Sequence, residues 1–224
     1  MTVVIGVRYA AGMQEKSDGS VPKRDRRRSP ARSRMVQSAA TLMRERGIHG
    51  VGLREVVAHS GGPRGSLGRY FPGGKTQLMT EAIDVALAGL YDELDRTLAE
   101  AQTFPEAIRL ILAPWRGLLV DNDFALGCPL AATVVDAAAN DGLRVHASDL
   151  LARWQGTVAD VYIKFGASPA VADEDATVLL AAVEGALVLA RAHRSTDPLD
   201  TVERYFAARA PSVPVRVVTP AREN

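Results

Sequence analysis

Residues 60–75 constrain this chain more than any other stretch: Ser-Gly-Gly-Pro-Arg-Gly-Ser-Leu-Gly-Arg-Tyr-Phe-Pro-Gly-Gly-Lys. Punctuation this dense leaves room for the end of one short helix, a tight turn, a second short helix and a break into a third. Two short helices joined by a glycine turn, in a basic segment, are how a protein lays a helix in the major groove of DNA. The charge distribution agrees. Residues 1–75 hold 15 Lys/Arg against 5 Asp/Glu, whereas residues 76–224 hold 12 against 21, so a net charge of +1 hides a basic front and an acidic remainder. A basic front of this kind suits a polyanion.

Around this stretch the pattern is helical throughout. Ser29-Pro30 is a good N-cap and first-position pair. Met35, Ala39, Leu42 and Met43 then form an apolar stripe at three- and four-residue steps, and Gly47 supplies a left-handed stop. A second helix spans about 53–59 and turns at Gly61-Gly62; Pro63 opens a third, about 63–70, which Pro72-Gly73-Gly74 ends. Lys75 starts a long helix to about residue 101, and further helices follow at about 104–120, 128–140, 143–166, 170–194 and 198–208. The fold expected is all-α. Its divisions are a mobile basic arm at 1–29, a helix-turn-helix domain at 30–75, a helical second domain at 76–210 and a flexible tail at 211–224. The arm, ending in Lys23-Arg24-Asp25-Arg26-Arg27-Arg28, either follows phosphates and the minor groove or is a solvated leader without a role.

Several function classes find no support. Cys128 is the only cysteine, which excludes an intrachain disulfide and a cysteine-based zinc site, and the four histidines lack metal-ligand spacing. No Ser/His/Asp grouping, telling carboxylate pair or phosphate loop points to an enzyme. No cofactor is expected. Neither a membrane-spanning run nor a secretory signal is read in the sequence, so a cytoplasmic protein is expected.

The segment 170–194 carries two apolar stripes. Val171, Leu179, Val183, Ala186 and Ala190 make one, and Leu180, Leu187 and Val188, with small Ala181 and Gly185 between them, make the other. A helix apolar around most of its circumference must be covered on both sides. The second stripe suits the same helix of a second copy, giving a homodimer; the alternative is complete burial within one large monomer.

Across residues 30–90 the chain resembles TetR-family transcriptional regulators. Pro63-Arg64-Gly65-Ser66-Leu67, followed by Tyr70-Phe71-Pro72-Gly73-Gly74-Lys75, is most similar to the LmrA/YxaF-type branch, as is Gly127-Cys128-Pro129-Leu130 in the second domain. The resemblance implies an N-terminal three-helix DNA-binding domain and an effector site among the later helices. Departures are Gly68, where an aromatic residue is usual, Val51, where a phosphate-touching Thr or Ser is usual, and Gly62, where an apolar residue is usual.

At the DNA end, Arg64, Ser66 and Arg69 are the candidates for groove contacts. Tyr70, Lys75 and the arm's Arg28 are candidates for backbone contacts, and Gly65 for close helix approach. The bland readings are a solvated face for the arginines and packing for Tyr70. Phe71 is read as core. In the second domain, Trp115, Leu119, Phe124, Cys128, Trp154 and Val158 are the candidate effector lining, against a reading as ordinary core. Asp136 and Asn140 either orient a ligand or mark an exposed acidic side. The function expected is a dimeric repressor that leaves a palindromic double-stranded operator when a small lipophilic effector binds. The alternative is a non-sensing DNA-binding or interaction protein of the same fold.

Overall fold

A computed structural model of the chain describes residues 29–63, 65–87, 90–136 and 140–211. The basic arm, including Arg28, falls outside them, as do Arg64 and all of the tail beyond residue 211. Ten helices and no strand occur among the described residues: α1 Pro30–Arg46, α2 Leu53–His59, α3 Leu67–Tyr70, α4 Gly74–Leu87, α5 Leu90–Glu100, α6 Phe104–Asp121, α7 Pro129–Asp136, α8 Asp141–Lys164, α9 Pro169–His193 and α10 Asp197–Ala207. The range read as one helix, 75–101, is occupied by α4 and α5, with residues 88 and 89 not described.

Local chemistry sets most boundaries. Thr103 caps α6 by accepting from the Glu106 N–H, Asn140 caps α8 by accepting from the Leu143 N–H, and Ser168 caps α9 by accepting from the Val171 N–H. Lys164, on the last turn of α8, donates to the carbonyls of Leu98, Ala99 and Ala101 at 2.8–3.0 Å, holding the end of α5. Gly47 stops α1 at φ +75°, as the sequence implies. Ser29 stands at the N-cap of α1, but its hydroxyl donates to the Tyr70 hydroxyl at 3.3 Å and makes no cap bond.

The third helix departs most from expectation. Instead of running over 63–70 it is a single turn, Leu67–Tyr70, preceded by a turn in which the Ser66 N–H donates to the Pro63 carbonyl at 3.2 Å. Gly65 has φ +81°, and a left-handed residue there cannot continue a right-handed helix opened by Pro63. A Cβ on Gly65 would meet nothing within 4 Å, so its role is backbone conformation and not the close approach expected of it. Gly62 has the packing role: a Cβ there would overlap the Met35 side chain on α1.

The core is one continuous body. Met35, Met43, Val56 and Phe71 fill the space between α1 and the short helices, and α4 lies along α1 while also reaching α7 and α8. Beyond it, α8 packs on α9, and α10 on both α6 and α9. Phe104 meets Tyr162 and Phe165 edge-on, with centroids at 5.0 and 5.9 Å, tying the start of α6 to the end of α8. Val51 is buried in this core at 1% exposure, so it serves packing and presents nothing to a phosphate.

One expectation about composition fails. Helix α9, Pro169–His193, is long and apolar enough by length and hydropathy to cross a membrane, although no such run was read in the sequence. Its inner side packs on α6, α8 and α10, while Val171, Val178, Val188 and Leu189 are exposed.

Two glycines separate conformational need from open space. At Gly47 a side chain meets both a left-handed φ and the Asp136 carboxylate, whereas at Gly68, on α3, a Cβ meets nothing. Gly47→Ala is expected to lower stability by about 1 kcal/mol or more, and Gly68→Ala to raise it by up to about 1 kcal/mol, read as opposite shifts in thermal denaturation midpoint.

Candidate nucleic-acid interface and internal cavity

Three arginines of the basic front hold the two short helices in place. Arg32, on α1, donates to the Tyr70 carbonyl at 3.4 Å, pairs with Glu81 of α4 at 2.6 Å and lies 4.8 Å from the Phe71 ring centroid. One guanidinium thus fixes α1, the end of α3 and α4 together. Arg34 donates to the Ser60 carbonyl at the end of α2, and Arg46 pairs with Glu55 at 2.5 Å. In the sequence Arg46 reads as a last-turn cation favourable to the dipole of the first helix, while Arg32 and Arg34 carry no individual signal.

What remains outward is a small basic face. Arg69 on α3 and Arg54 on α2 are exposed and have no ion-pair partner among the described residues. Arg54 was not singled out in the sequence, because its position on a seven-residue helix gives too short a period to place it on a face. Ser66 is half-buried and its hydroxyl donates to the Pro63 carbonyl at 2.7 Å, so it helps to build the turn. Tyr70 is half-buried, its hydroxyl accepting from Ser29 and its ring packed on the core. Lys75 follows Gly74 at the first turn of α4, where the Gly73 N–H donates to the Gln77 side chain.

The second region lies inside the later helices. Trp115 of α6 and Trp154 of α8 face each other with ring centroids 5.2 Å apart. Beside them Tyr91, Leu94, Ile111 and Leu130 close a cavity of about 10 Å³, room for roughly one water molecule. Pro114, also on its wall, lacks the N–H that an uninterrupted α6 would direct at the Leu110 carbonyl. Of the six residues proposed as lining, Trp115 and Trp154 border this cavity. Leu119, Cys128 and Val158 are buried core outside its lining, and Phe124 is half-buried in the loop after α6, with φ +59° and the Arg194 guanidinium 6.0 Å from its ring. A wider groove of about 290 Å³ at the surface between α5 and α8 carries Asp95, Asp160 and Lys164, a charged lining unsuited to a lipophilic guest.

Unusual electrostatics collect around Cys128, whose neighbours include Glu184 and the cavity-bordering Tyr91. The Glu184 carboxyl, on α9, has Oε1 fully buried with no hydrogen-bond partner, and the Trp154 indole Nε1 is likewise buried and unpartnered. Burial pushes the Glu184 carboxyl above the ordinary carboxylate range, opposed by a hydrogen bond from the neighbouring Cys128 thiol. Burial, with Glu184 next, raises Cys128 far above an ordinary thiol, so it is not an activated thiolate. The Tyr91 hydroxyl, which donates to the Leu150 carbonyl, is pushed up to about 12 chiefly by burial. Glu184 was missed in the sequence because a lone acid on a long helix reads as solvated.

Between the two regions runs a polar seam. Gly127 N–H donates to the Arg44 carbonyl at 3.1 Å, and Arg44 Nε donates back to the Gly127 carbonyl at 3.2 Å. Arg191 of α9 donates to the carbonyls of Glu45 and Ala125. Asp136, at the end of α7, accepts from the His49 N–H at 3.1 Å, and Asn140 donates to Thr76 at 2.7 Å. Both residues weighed as ligand contacts or exposed charges therefore tie the second bundle to α1 and α4.

The proposed dimer stripe divides. Ala181, Gly185 and Val188 are exposed and Leu180 is half-buried, but Leu187 is 2% exposed and faces its own core, so it cannot contribute to an outer face.

Comparison with known proteins bears on the whole arrangement. The profile of bacterial regulatory proteins of the tetR family matches residues 36–82, and that of the transcriptional regulator LmrA/YxaF-like C-terminal domain matches residues 105–205. An uncharacterised HTH-type transcriptional regulator of Mycobacterium tuberculosis is 40% identical over 181 residues, covering 78% of this chain and 91% of that protein. The HTH-type transcriptional regulator LmrA of Bacillus subtilis is 27% identical, covering 75% and 90%. Among solved structures, a regulatory protein TetR from Rhodobacter sphaeroides superposes with a TM-score of 0.73 at 21% identity, covering 80% of this chain and 98% of that one.

Glu184 offers a direct check on the electrostatics around Cys128. An acid whose folded pKa is raised holds its proton more tightly when folded, so wild type loses stability as pH climbs from the unfolded carboxylate value through the folded one. Glu184→Gln removes that loss. The thermal midpoint of the variant, relative to wild type, is expected to rise with pH over this window and to be level below it.

Proposed function

Because the chain belongs to the TetR family of bacterial transcriptional regulators, in its LmrA/YxaF-like branch, we propose that it is a homodimeric repressor acting in the cytoplasm. It grips a palindromic operator through α2 and α3 and lets go when a small lipophilic effector enters the tryptophan-lined cavity. Arg69 and Arg64 read base edges in the major groove; Arg54, Tyr70 and Lys75 hold phosphates, with the arm and its Arg28 adding charge alongside. The domain limits proposed are those of the sequence reading, 30–75 and 76–210, with α4 common to both bundles.

The observation that carries the sensing half of this reading is the position of α7. Leu130, on its first turn, borders the cavity, while Thr133 and Asp136 further along it lie against Met43 and His49 of the DNA-binding end. Drug-sized ligands need a site of roughly 300–1,000 Å³. A cavity of about 10 Å³ must therefore open, and the wall it moves includes α7. Displacing that helix draws on the Asp136 and Gly127 contacts and reorients α1, altering the spacing of the two reading heads. The shift is limited to the effector's difference in affinity for the two arrangements.

Dimerisation is supported by the outward Leu180, Ala181, Gly185 and Val188 of α9. Small residues permit close approach of a second copy, and that apolar surplus accounts for a helix otherwise long enough to span a membrane.

Mobility shift with the chain's own upstream region tests the assignment of the interface. Arg69→Ala is expected to weaken binding by about 1–3 kcal/mol, and Arg54→Ala to weaken it while lowering the slope of affinity against salt by about one unit. Equal binding by wild type and the Arg54/Arg69 double variant contradicts the proposed face. A non-sensing protein of the same fold remains the second reading: there, Asp136→Ala leaves operator affinity unchanged and no lipophilic compound alters it.

A further inference from the structure

Resting on the reading of α2 and α3 as the DNA-docking face, we propose that Gly68 is a positioning residue for the operator. Its bare main chain lies against the major groove and sets how deeply α3 enters. Successive residues of a helix turn by about 100°. Leu67 and Tyr70 therefore share the inner side of α3, packed on the core, and Gly68 and Arg69 share the outer side, both exposed. Gly65, before the helix, is exposed and carries no side chain, and the Ser66 hydroxyl is tied to the Pro63 carbonyl. Within residues 65–69, only Arg69 projects a side chain freely from the docking side.

Nothing among the described residues accounts for a glycine at this position. Gly47, Gly61, Gly65 and Gly74 have positive φ, whereas Gly68 does not. Gly62 and Gly127 are hemmed in by neighbouring side chains, whereas a Cβ on Gly68 would meet nothing within 4 Å. Neither backbone conformation nor internal packing therefore calls for it. Glycine is the poorest residue after proline for a helix interior. Gly117 on α6, Gly156 on α8 and Gly185 on α9 are open in the same way, but they sit in helices of 18, 24 and 25 residues, which absorb one weak position. Helix α3 has four residues and is too short to be stable alone, so the same weakness falls where it is felt most.

The DNA supplies the reason the chain lacks. Glycine lets a main chain approach a ligand more closely than any other residue does. The major groove is about 12 Å wide and a helix with its side chains about 10–12 Å across, so one methyl group on the groove-facing side changes how far α3 descends. Depth matters to Arg69. A guanidinium reads guanine through two parallel hydrogen bonds to O6 and N7, and both weaken steeply once their geometry is disturbed. Gly68 sets the depth, and Arg69 beside it reads the base.

The test uses the full-length protein and two duplexes of about 30 base pairs, room for two half-sites. One is the duplex that wild type enriches most from a random library; the other is unrelated in sequence. Gly68→Ala is expected to raise the thermal midpoint yet weaken binding to the selected duplex about tenfold, and Gly68→Leu to weaken it about a hundredfold. Affinity for the unrelated duplex and the slope of affinity against salt are expected to stay at wild-type values, because phosphates are held by other residues. Base discrimination falls most at the position that Arg69→Ala ceases to sense. Gly117→Ala, which fills an open glycine on α6, is the control and is expected to bind both duplexes as wild type does. Should Gly68→Leu fail to fold, Gly68→Ala decides alone. Wild-type or tighter binding by the Gly68 variants, with Arg69→Ala still weakened, overturns the role of Gly68 and leaves the docking face standing. Equal loss on the two duplexes also overturns it, since depth at the base edges is then not what changed. Unchanged binding in Arg69→Ala, or no duplex enriched by wild type, overturns the docking face and the proposal together.

Discussion

The seam between residues 127–136 and the end of α1 is the constraint on which the remaining structure depends. Gly127 and Arg44 exchange two hydrogen bonds, Arg191 spans the same junction, and Asp136 accepts from the His49 amide. Without these contacts the first three helices are attached to the acidic bundle mainly through α4. With them, α1 is held at both sides, by α4 along its length and by α7 near its end. Gly47 shows how close the fit is, since a Cβ there would overlap the Asp136 carboxylate. Gly127 is similarly bounded by the Arg191 guanidinium.

Two kinds of basic residue share the front end, and their separation follows from burial. Arg32 and Arg34 hold backbone carbonyls, while Arg54 and Arg69 remain in solvent. The first pair aligns the short helices. The second is available to a polyanion. A four-residue α3 cannot orient itself by its own hydrogen bonds, because a helix this short is marginal in water. Its direction comes from the Phe71 anchor, the Arg32 contact and the left-handed Gly65 turn before it.

Much of this was legible in residue order. Helical periodicity and the Gly/Pro breaks place the long helices to within a few residues, since amphipathic stripes and caps are local signals. The third helix was overextended because proline at a first position is a strong local cue, whereas the φ of Gly65 is set by the turn as a whole. Leu187 was placed on the outer stripe because α9 is apolar nearly all round, and periodicity alone cannot say which side meets its own core. Asp136, Asn140 and Glu184 escaped assignment for a related reason: their partners, His49, Thr76 and Cys128, are distant in the chain, and only tertiary packing brings them together.

The central claim is that the tryptophan cavity and the end of α1 are energetically linked through α7. Amide hydrogen exchange on wild type and Trp154→Ala tests it without an effector, since removing the indole loosens the cavity wall directly. The account predicts faster exchange in the variant at residues 44–51 and 127–136, with α2 at 53–59 affected less. Exchange that changes only in α5, α6 and α8, leaving residues 44–51 as in wild type, contradicts it.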